Sequence, residues 1–198
     1  MITVDLRTDL GAEEAAELRE MIDEAAAYDE EAAFSTIEES ADAQGNTEVF
    51  QVLSRLTPGL HGSTGTPLVA YLRIEVDRAG GAVSQMIVRP AYRSLGIATL
   101  TLEMLSELEG EGWAGTGTVS MSCWARGDHP AAERMSRRFG AEVAGQMWTL
   151  LRGQEVLVLD PADETAVLTA RHDGFVHEKT DVRYVWRIPV PTVVEPGP

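Results

Sequence analysis

Positive charge is scarce in this sequence. Its 16 Lys and Arg stand against 32 Asp and Glu, a formal net charge of −16, so a nucleic acid or an anionic membrane surface is not an expected partner. Cysteine is nearly absent. The single Cys123 excludes an internal disulfide framework, and its place in a strand-like run marks it as a buried, inert thiol. No run approaches the ~20 apolar residues needed to span a bilayer. The opening Met-Ile-Thr-Val-Asp-Leu has no basic region followed by an apolar one, so a cytoplasmic location is expected, with no membrane partner. The four histidines, at 61, 129, 172 and 177, have no spacing that sets two on one helix face as ligands, and no metal is expected. Internal repeats and low-complexity segments are missing too, which excludes a solenoid.

What is present is ordinary for a globular chain. The 198 residues are 44% hydrophobic and 24% charged, enough for one domain with a real core and an appendage. Much of the acidic excess lies in the helical N-terminal region, where a solvated face is the plain reading.

The chemistry gathers between Gln85 and Leu108, QMIVRPAYRSLGIATLTLEMLSEL. Met86, Ile87 and Val88 are consecutively apolar, as in a strand buried on both faces. Arg89-Pro90 stops that strand, because proline cannot donate to a ladder and holds the residue before it extended. After Arg93-Ser94-Leu95-Gly96-Ile97-Ala98-Thr99, the residues Ile97, Leu100, Met104, Leu105 and Leu108 recur at spacings of three and four, one apolar helix face. The free N–H groups of a helix's first turn carry roughly half a positive charge and receive an anion without a dedicated side chain. Gly96 lets the backbone approach a pyrophosphate, Ala98 keeps the first turn free of bulk, and Arg93 can add charge from the rim. The plainer alternative is an ordinary strand-to-helix turn.

Spaced as Arg-x-x-Gly-x-Ala behind a strand ending Val-x-Pro, this loop resembles the acetyl-CoA pyrophosphate loop of the GNAT N-acetyltransferase superfamily. The resemblance implies an α/β GNAT fold: a mixed, mostly antiparallel sheet with helices on both faces, splayed between the cofactor strand and the next. It implies acetyl-CoA as acyl donor, held by Ile87, Val88, Arg93, Ser94, Leu95, Gly96, Ile97, Ala98 and Thr99.

In chain order, residues 2–6 alternate as a short strand, and Thr8 or Asp9 can cap a helix beginning near Gly11, with Leu18, Met21, Ile22 and Ala25 inward. Its Glu13, Glu14 and Glu17 suit the helix dipole and carry no catalytic implication. A weaker helix is expected over residues 30–40; Tyr28 and Phe34 are candidates to touch substrate, with core packing the plainer reading. Residues 48–55 and 68–76 read as strands, joined by a Gly, Ser, Thr and Pro loop, and Gly80-Gly81 as a hairpin into the cofactor strand. A Gly-rich link over 109–118 precedes a strand at 119–125. Asp128 can cap the following helix, with Pro130 in its first turn and Gly140 ending it. Residues 141–151 return as a strand.

The run Trp124-Ala-Arg-Gly-Asp-His-Pro-Ala-Ala-Glu-Arg134 is more specific. With Val69-Ala-Tyr-Leu72, Gly80-Gly-Ala82 and Met147-Trp-Thr-Leu-Leu-Arg152, it resembles the N-terminal domain of mycothiol synthases, two-domain GNAT proteins of actinobacteria. That domain is not the family's principal catalytic one. GNAT enzymes often carry a glutamate on the cofactor strand that takes the amine's proton through water; the resemblance puts Gln85 there, and an amide is not a base. Many place a tyrosine on the later helix to protonate the CoA thiolate; that position holds Ser136, too weak an acid to replace it.

Residues 1–153 are read as the GNAT domain and 154–198 as an appendage. In the appendage, 155–160 reads as a strand and 161–172 as a helix with Ala166, Val167, Ala170 and Leu168 inward, resembling the opening of a second GNAT domain. The rival reading is a tail whose residues 182–188 add a strand to the first sheet; the prolines at 189, 191, 196 and 198 suggest a loose end. The expected function is acetyl transfer from acetyl-CoA to a primary amine of a small molecule, with a mycothiol-related acceptor among the candidates. It would work by positioning the amine and stabilising the oxyanion with strand amides near Met86 to Val88. The alternative is a catalytically silent acyl-CoA-binding or interaction protein, which Gln85 and Ser136 favour. A nucleotide-binding domain of another fold is disfavoured, since the chain lacks the regular strand–helix alternation of a doubly wound sheet. A homo-oligomer is left open.

Overall fold

A computed structural model describes residues 2–29, 47–57, 65–108 and 113–188. Eight strands run along these residues: β1 (Ile2–Arg7), β2 (Thr47–Leu56), β3 (Leu68–Asp77), β4 (Gly81–Val88), β5 (Ser120–Ala125), β6 (Glu142–Arg152), β7 (Glu155–Leu159) and β8 (Val176–Arg187). The helices are α1 (Ala12–Tyr28), α2 (Ile97–Glu107), the single turn α3 (Trp113–Thr116), α4 (Pro130–Phe139) and α5 (Glu164–His172). They fall into two compact units, one holding the described residues up to Met121 together with Arg187 and Ile188, the other Ser122–Trp186.

In the first unit the strand order is β1-β2-β3-β4-β5. The β1–β2, β2–β3 and β3–β4 ladders are antiparallel, and the short link from β3 to β4 demands it of that pair. From β4 the chain returns through α2 to β5, and the N–H groups of Val119 and Ser120 both donate to the Gly80 carbonyl, at 2.8 and 3.3 Å. A side chain at Gly80 would meet the Gly117 carbonyl oxygen at 2.8 Å and the Val119 side chain at 2.9 Å, and its φ is +82°. Glycine is required there twice over, by conformation and by the approach of β5.

Alternation along the strands divides the core. One face sets Leu53, Tyr71 and Ile87 against Leu18, Met21 and Ala25 of α1. The other sets Val69, Met86 and Val88 against Ile97, Leu100 and Met104 of α2. Helices therefore cover both faces, as expected. Buried between β2 and α2, the Ser54 and Thr101 hydroxyls lie 2.7 Å apart. Thr101 donates to the Ile97 carbonyl at 3.0 Å, so Ser54 donates to Thr101.

In the second unit the order is β5-β8-β6-β7, with β6 antiparallel to β7 and β8. The appended residues thus put β8 between β5 and β6. Val182 and Tyr184 of β8 pack with Ala125, Cys123, Ala132 and Ala141, while α5 lays Ala166, Val167 and Ala170 on Leu150 and Leu159. Leu168, expected inward, is 65% exposed. Burial pushes the Cys123 thiol up from its usual range, consistent with an inert role.

Several local expectations change. α1 is capped at Gly11, whose N–H donates to the Glu14 carboxylate at 3.0 Å, while the Thr8 hydroxyl turns to Asp9. α4 is capped by the His129 ring, which accepts from the Ala131 N–H at 3.1 Å. Asp128 instead has φ +51°, outside cap geometry. Within the expected Gly-rich link, Trp113 is 5% exposed and donates to the Ser106 hydroxyl at 3.0 Å. A buried tryptophan with its N–H satisfied makes helical structure of what composition marked as loop. The expected helix over 30–40 and the loose prolines lie outside the described residues.

Two predictions follow from these anchors. Burial raises the Glu17 carboxyl, but hydrogen bonds from Arg55 and the Leu68 N–H and the charges of Arg55 and Arg89 outweigh it, leaving the carboxyl below its usual range. A folded value below the unfolded one contributes stability above the unfolded pKa, and that stability is lost as pH falls through the folded one. Glu17→Gln should therefore melt lower than wild type at neutral pH, and the gap should close as both are titrated to acid. Truncation after Gly153 removes β8 from between β5 and β6 and should give an aggregating or lower-melting chain. A soluble truncation with wild-type melting would show residues 154–198 to be independent of the rest.

Candidate functional site

The site predicted around Gly96 lies in the first unit, at the end of β4. Arg89 leaves the strand with its N–H on the Val69 carbonyl at 2.9 Å. A 3-10 turn over Pro90–Tyr92 follows, and the loop then passes through two left-handed residues, Ser94 at φ +63° and Gly96 at φ +78°. Left-handed residues in such a loop turn backbone N–H groups towards a common point, the geometry of anion-binding nests. Gly96 is the N-cap of α2, and no side chain caps that helix. A Cβ built at Gly96 meets nothing within 4 Å. The glycine is thus demanded by its φ and fronts open space, the cradle a phosphate needs.

The other predicted cofactor residues sort by side chain. Ile87 and Ile97 are buried at 5% and 8% and serve the core. Leu95 is 57% exposed. The Val88 side chain packs on the α2 face of the sheet, Ser94 is left-handed in the loop, and Ala98 and Thr99 are in the first turn of α2.

Arg93 is engaged differently from the expectation. Its Nη1 and Nη2 donate to the two carboxylate oxygens of Asp29, each at 2.7 Å, and Nε donates to the Val88 carbonyl at 3.0 Å. The guanidinium also lies 5.2 Å from the Tyr28 ring centroid. A planar fork committed this way holds the loop in place and has little left for a phosphate. Tyr28 is thereby assigned a contact, though with Arg93. Phe34 lies outside the described residues.

Alternation on β4 sends Gln85 and Ile87 to the α1 face and Met86 and Val88 to the α2 face. In register, Gln85 stands opposite Arg73 of β3, and Arg73 opposite Gln51 of β2. Arg73 pairs with Glu75. The Tyr71 hydroxyl donates to Gln51 Oε1 at 2.9 Å. Burial pushes that phenol up to about 12, against the opposing charge of Arg73, so it stays protonated at any working pH. Sequence reasoning did not single out this polar group. Its signal was there, in the alternation of Leu72-Arg-Ile-Glu-Val76 inside an otherwise buried strand.

Ser136, the position expected to hold an acid, is in the second unit on α4. It is 8% exposed, and its hydroxyl donates to the Glu133 carbonyl at 2.9 Å, which commits its proton within its own helix. Tyr184 neighbours it through a side-chain hydrogen bond; burial and the charges of Asp128, Glu133 and Cys123 push that phenol up, more than the Ser136 bond lowers it.

No family model matches the chain. A mycothiol acetyltransferase of Saccharomonospora viridis is 34% identical over 94 residues, 46% of this chain and 25% of that relative. The chain thus matches only about a quarter of that curated relative's length. Among solved structures, a GNAT-family acetyltransferase of Streptococcus pneumoniae superposes with a TM-score of 0.55 at 13% identity, covering 94% of this chain and 100% of the other. The spermidine N-acetyltransferase of Vibrio cholerae, solved with CoA and spermine, gives 0.55 at 13% identity, covering 93% and 95%. The fold is the GNAT fold, in accord with the expectation, and the sequence resemblance to mycothiol acetyltransferases holds at modest identity. No described helix is long and apolar enough to cross a membrane.

Asp29→Ala should release Arg93. Losing a bidentate charge-assisted contact in a partly buried setting costs about 1–3 kcal/mol, read as a lower melting temperature. Proteolysis should become faster at the 93–96 loop, and an unchanged cleavage pattern would show that the pair does not hold it.

Proposed function

We propose that the protein is an acetyl-CoA-dependent N-acetyltransferase acting on a primary amine of a small molecule. The observation that carries the proposal is the uncapped start of α2 behind Gly96, with open space in front of it, at the end of the strand that the GNAT fold uses for its acyl donor. The pyrophosphate would rest on the first-turn amides and the loop around Ser94 and Gly96, with Ile87 and Val88 lining the strand beside the pantetheine arm. The mycothiol acetyltransferase resemblance supports amine acetylation and makes a cysteinyl-sugar amine one candidate acceptor. The net charge of −16 suits a cationic small molecule better than a polyanion. A cytoplasmic location fits a reaction that draws on acetyl-CoA.

A second reading has specific support. Gln85 is an amide, and the Ser136 proton is held by a backbone carbonyl, so the chain is also consistent with an acyl-CoA binder that does not turn over.

One set of measurements separates the two. Acetyl-CoA at one hundred times its dissociation constant should stabilise the fold by about 2.7 kcal/mol. Gly96→Val, which puts a branched side chain at φ +78° into the open space, should abolish that shift; an unchanged shift would move the donor elsewhere. Acetyl transfer is then assayed with a panel of amines that includes cysteinyl sugars. Transfer supports the enzyme, and binding without transfer across the panel supports the silent binder.

A further inference from the structure

The reading of this chain as an amine acetyltransferase leaves one chemical requirement unassigned. An alkylamine is mostly an ammonium near neutral pH and must lose a proton before or during attack on the thioester. Gln85 cannot take it. The same face of the sheet carries a carboxylate on the neighbouring strand.

Glu75 is on β3, two residues beyond Arg73. Since Arg73 pairs with Gln85 across the ladder and Glu75 with Val83, Glu75 and Gln85 project from one face. They are diagonal neighbours, with Cα atoms about 7–8 Å apart in such a ladder, within reach of long side chains. On this face the apolar row Leu53, Tyr71 and Ile87 packs under α1. The next row is polar, Gln51, Arg73 and Gln85, and in the row after it Glu75 stands between Val49 and Val83.

Three observations set Glu75 apart from a structural carboxylate. It is 7% exposed, yet Val83 directly opposite is 50% exposed, so the row opens to solvent at one end. Its partner Arg73 fixes its position. And a buried ion pair on a central strand adds little stability over apolar residues of the same volume, so packing alone gives no reason for it.

We infer that Glu75 is the proton acceptor for the acceptor amine, in place of the carboxylate missing at residue 85, and that Arg73 is its positioning residue. The substrate ammonium enters from the Val83 side and gives a proton to Glu75, directly or through one water. The freed nitrogen lone pair attacks the thioester carbonyl carbon. The N–C bond forms and the C–S bond breaks, the thiolate leaves as CoA, and the protons pass to the thiolate and to solvent. The balance is ammonium plus acetyl-CoA to N-acetylamine, CoA thiol and one proton.

The test is Glu75→Gln in the full chain, assayed from pH 6.5 to 9.5 with an amine the wild type acetylates. Loss of a positioned base should lower kcat/KM at pH 7 by about 10²–10⁴. The loss should shrink as pH rises and free amine forms in solution, while the acetyl-CoA thermal shift stays at its wild-type size. Adding Gln85→Glu should restore the neutral rate, because it returns a carboxylate to the same face. Glu75→Asp guards against misfolding: it keeps the charge beside Arg73 but withdraws it by one methylene, and a misplacement of about 1 Å can cost roughly 10² in rate. In the absence of acetyl-CoA, the amine should also stabilise wild type against heat more than it stabilises Glu75→Gln. Full activity of Glu75→Gln at pH 7 overturns the inference, as does a loss that is uniform with pH and not rescued at residue 85, or an unaffected Glu75→Asp. Wild type that binds acetyl-CoA but acetylates no amine overturns the enzyme reading and this inference with it.

Discussion

Three carboxylates of α1 and Asp29 at its C-terminal end reach four arginines, and the fold of the first unit depends on that row of pairs. Glu14 takes Arg7 of β1, Glu17 takes Arg55 of β2, Glu24 takes Arg89 where β4 ends, and Asp29 takes Arg93 in the loop beyond. The more exposed of them add little individually, because solvent screens them and long side chains lose entropy. Their effect is geometric. An amphipathic helix with a modest apolar stripe can slide or rotate on a sheet; one tied at four points along its length cannot. All four ties reach main chain as well: Glu14 accepts from the Gly11 N–H and Glu17 from the Leu68 N–H, while Arg89 donates to the Leu68 carbonyl and Arg93 to the Val88 carbonyl. The last tie bears on the candidate site, since the Asp29–Arg93 pair holds the end of α1 against the loop that leads into α2.

That row also explains why the acidic excess could not be read correctly in one dimension. Glu13, Glu14 and Glu17 look like a solvated helix face favoured by the macrodipole, and only the arrangement of β1, β2 and β4 beside α1 shows that Glu14 and Glu17 have partners. Arg93 is the same lesson with opposite sign: its place in Arg-x-x-Gly-x-Ala suggests a phosphate ligand, and the structure spends it on Asp29, 64 residues away. What was legible was local. The strand, the Arg89-Pro90 break, the glycine at a left-handed helix start and the α2 stripe all follow from residue type and spacing, and so do Gly140 and the β3–β4 hairpin at Gly80. Caps were less so, because Gly11 with Glu14 and His129 with Ala131 won against residues of better general propensity. The place of β8 between β5 and β6 is a long-range pairing that no periodicity encodes.

The candidate site has the same division. A helix start without a capping side chain, behind a glycine with open space before it, offers main-chain donors as the proposed site. Main-chain sites leave a signature in small residues and little else, so the six-residue pattern carries the proposal for the loop, while the Arg93 side chain in it is engaged by Asp29. The chemistry needed beside it is carried by side chains, and those follow the sheet register. Gln85 was judged by its position along one strand. Its neighbours across the ladder are Arg73 and, on the diagonal, Glu75, and they became visible only once β3 and β4 were paired.

A sheet face makes such relocation physically cheap. Residues two apart on one strand and opposite residues on the next share a surface, so a carboxylate can leave one strand and reappear on its neighbour while its oxygens reach nearly the same point. A helix does not offer this, because residues on adjacent helices are separated by roughly 8–10 Å between axes and reach a common point only through specific interdigitation, whereas adjacent strands lie about 4.8 Å apart. The two functional positions in question differ in just this respect. Gln85 sits on a sheet, where Glu75 is in reach of the same space. Ser136 sits on α4 with its proton on Glu133, and the neighbouring phenol, Tyr184, is pushed up by burial and acidic neighbours. Replacement of the base is therefore within the geometry of this fold, while replacement of the acid is not supplied by the same means. A thiolate leaving group, unlike an ammonium, needs no enzyme group to become reactive and can take its proton from water, so the requirement that Glu75 would meet is the one the proposed acetyl transfer cannot do without near neutral pH.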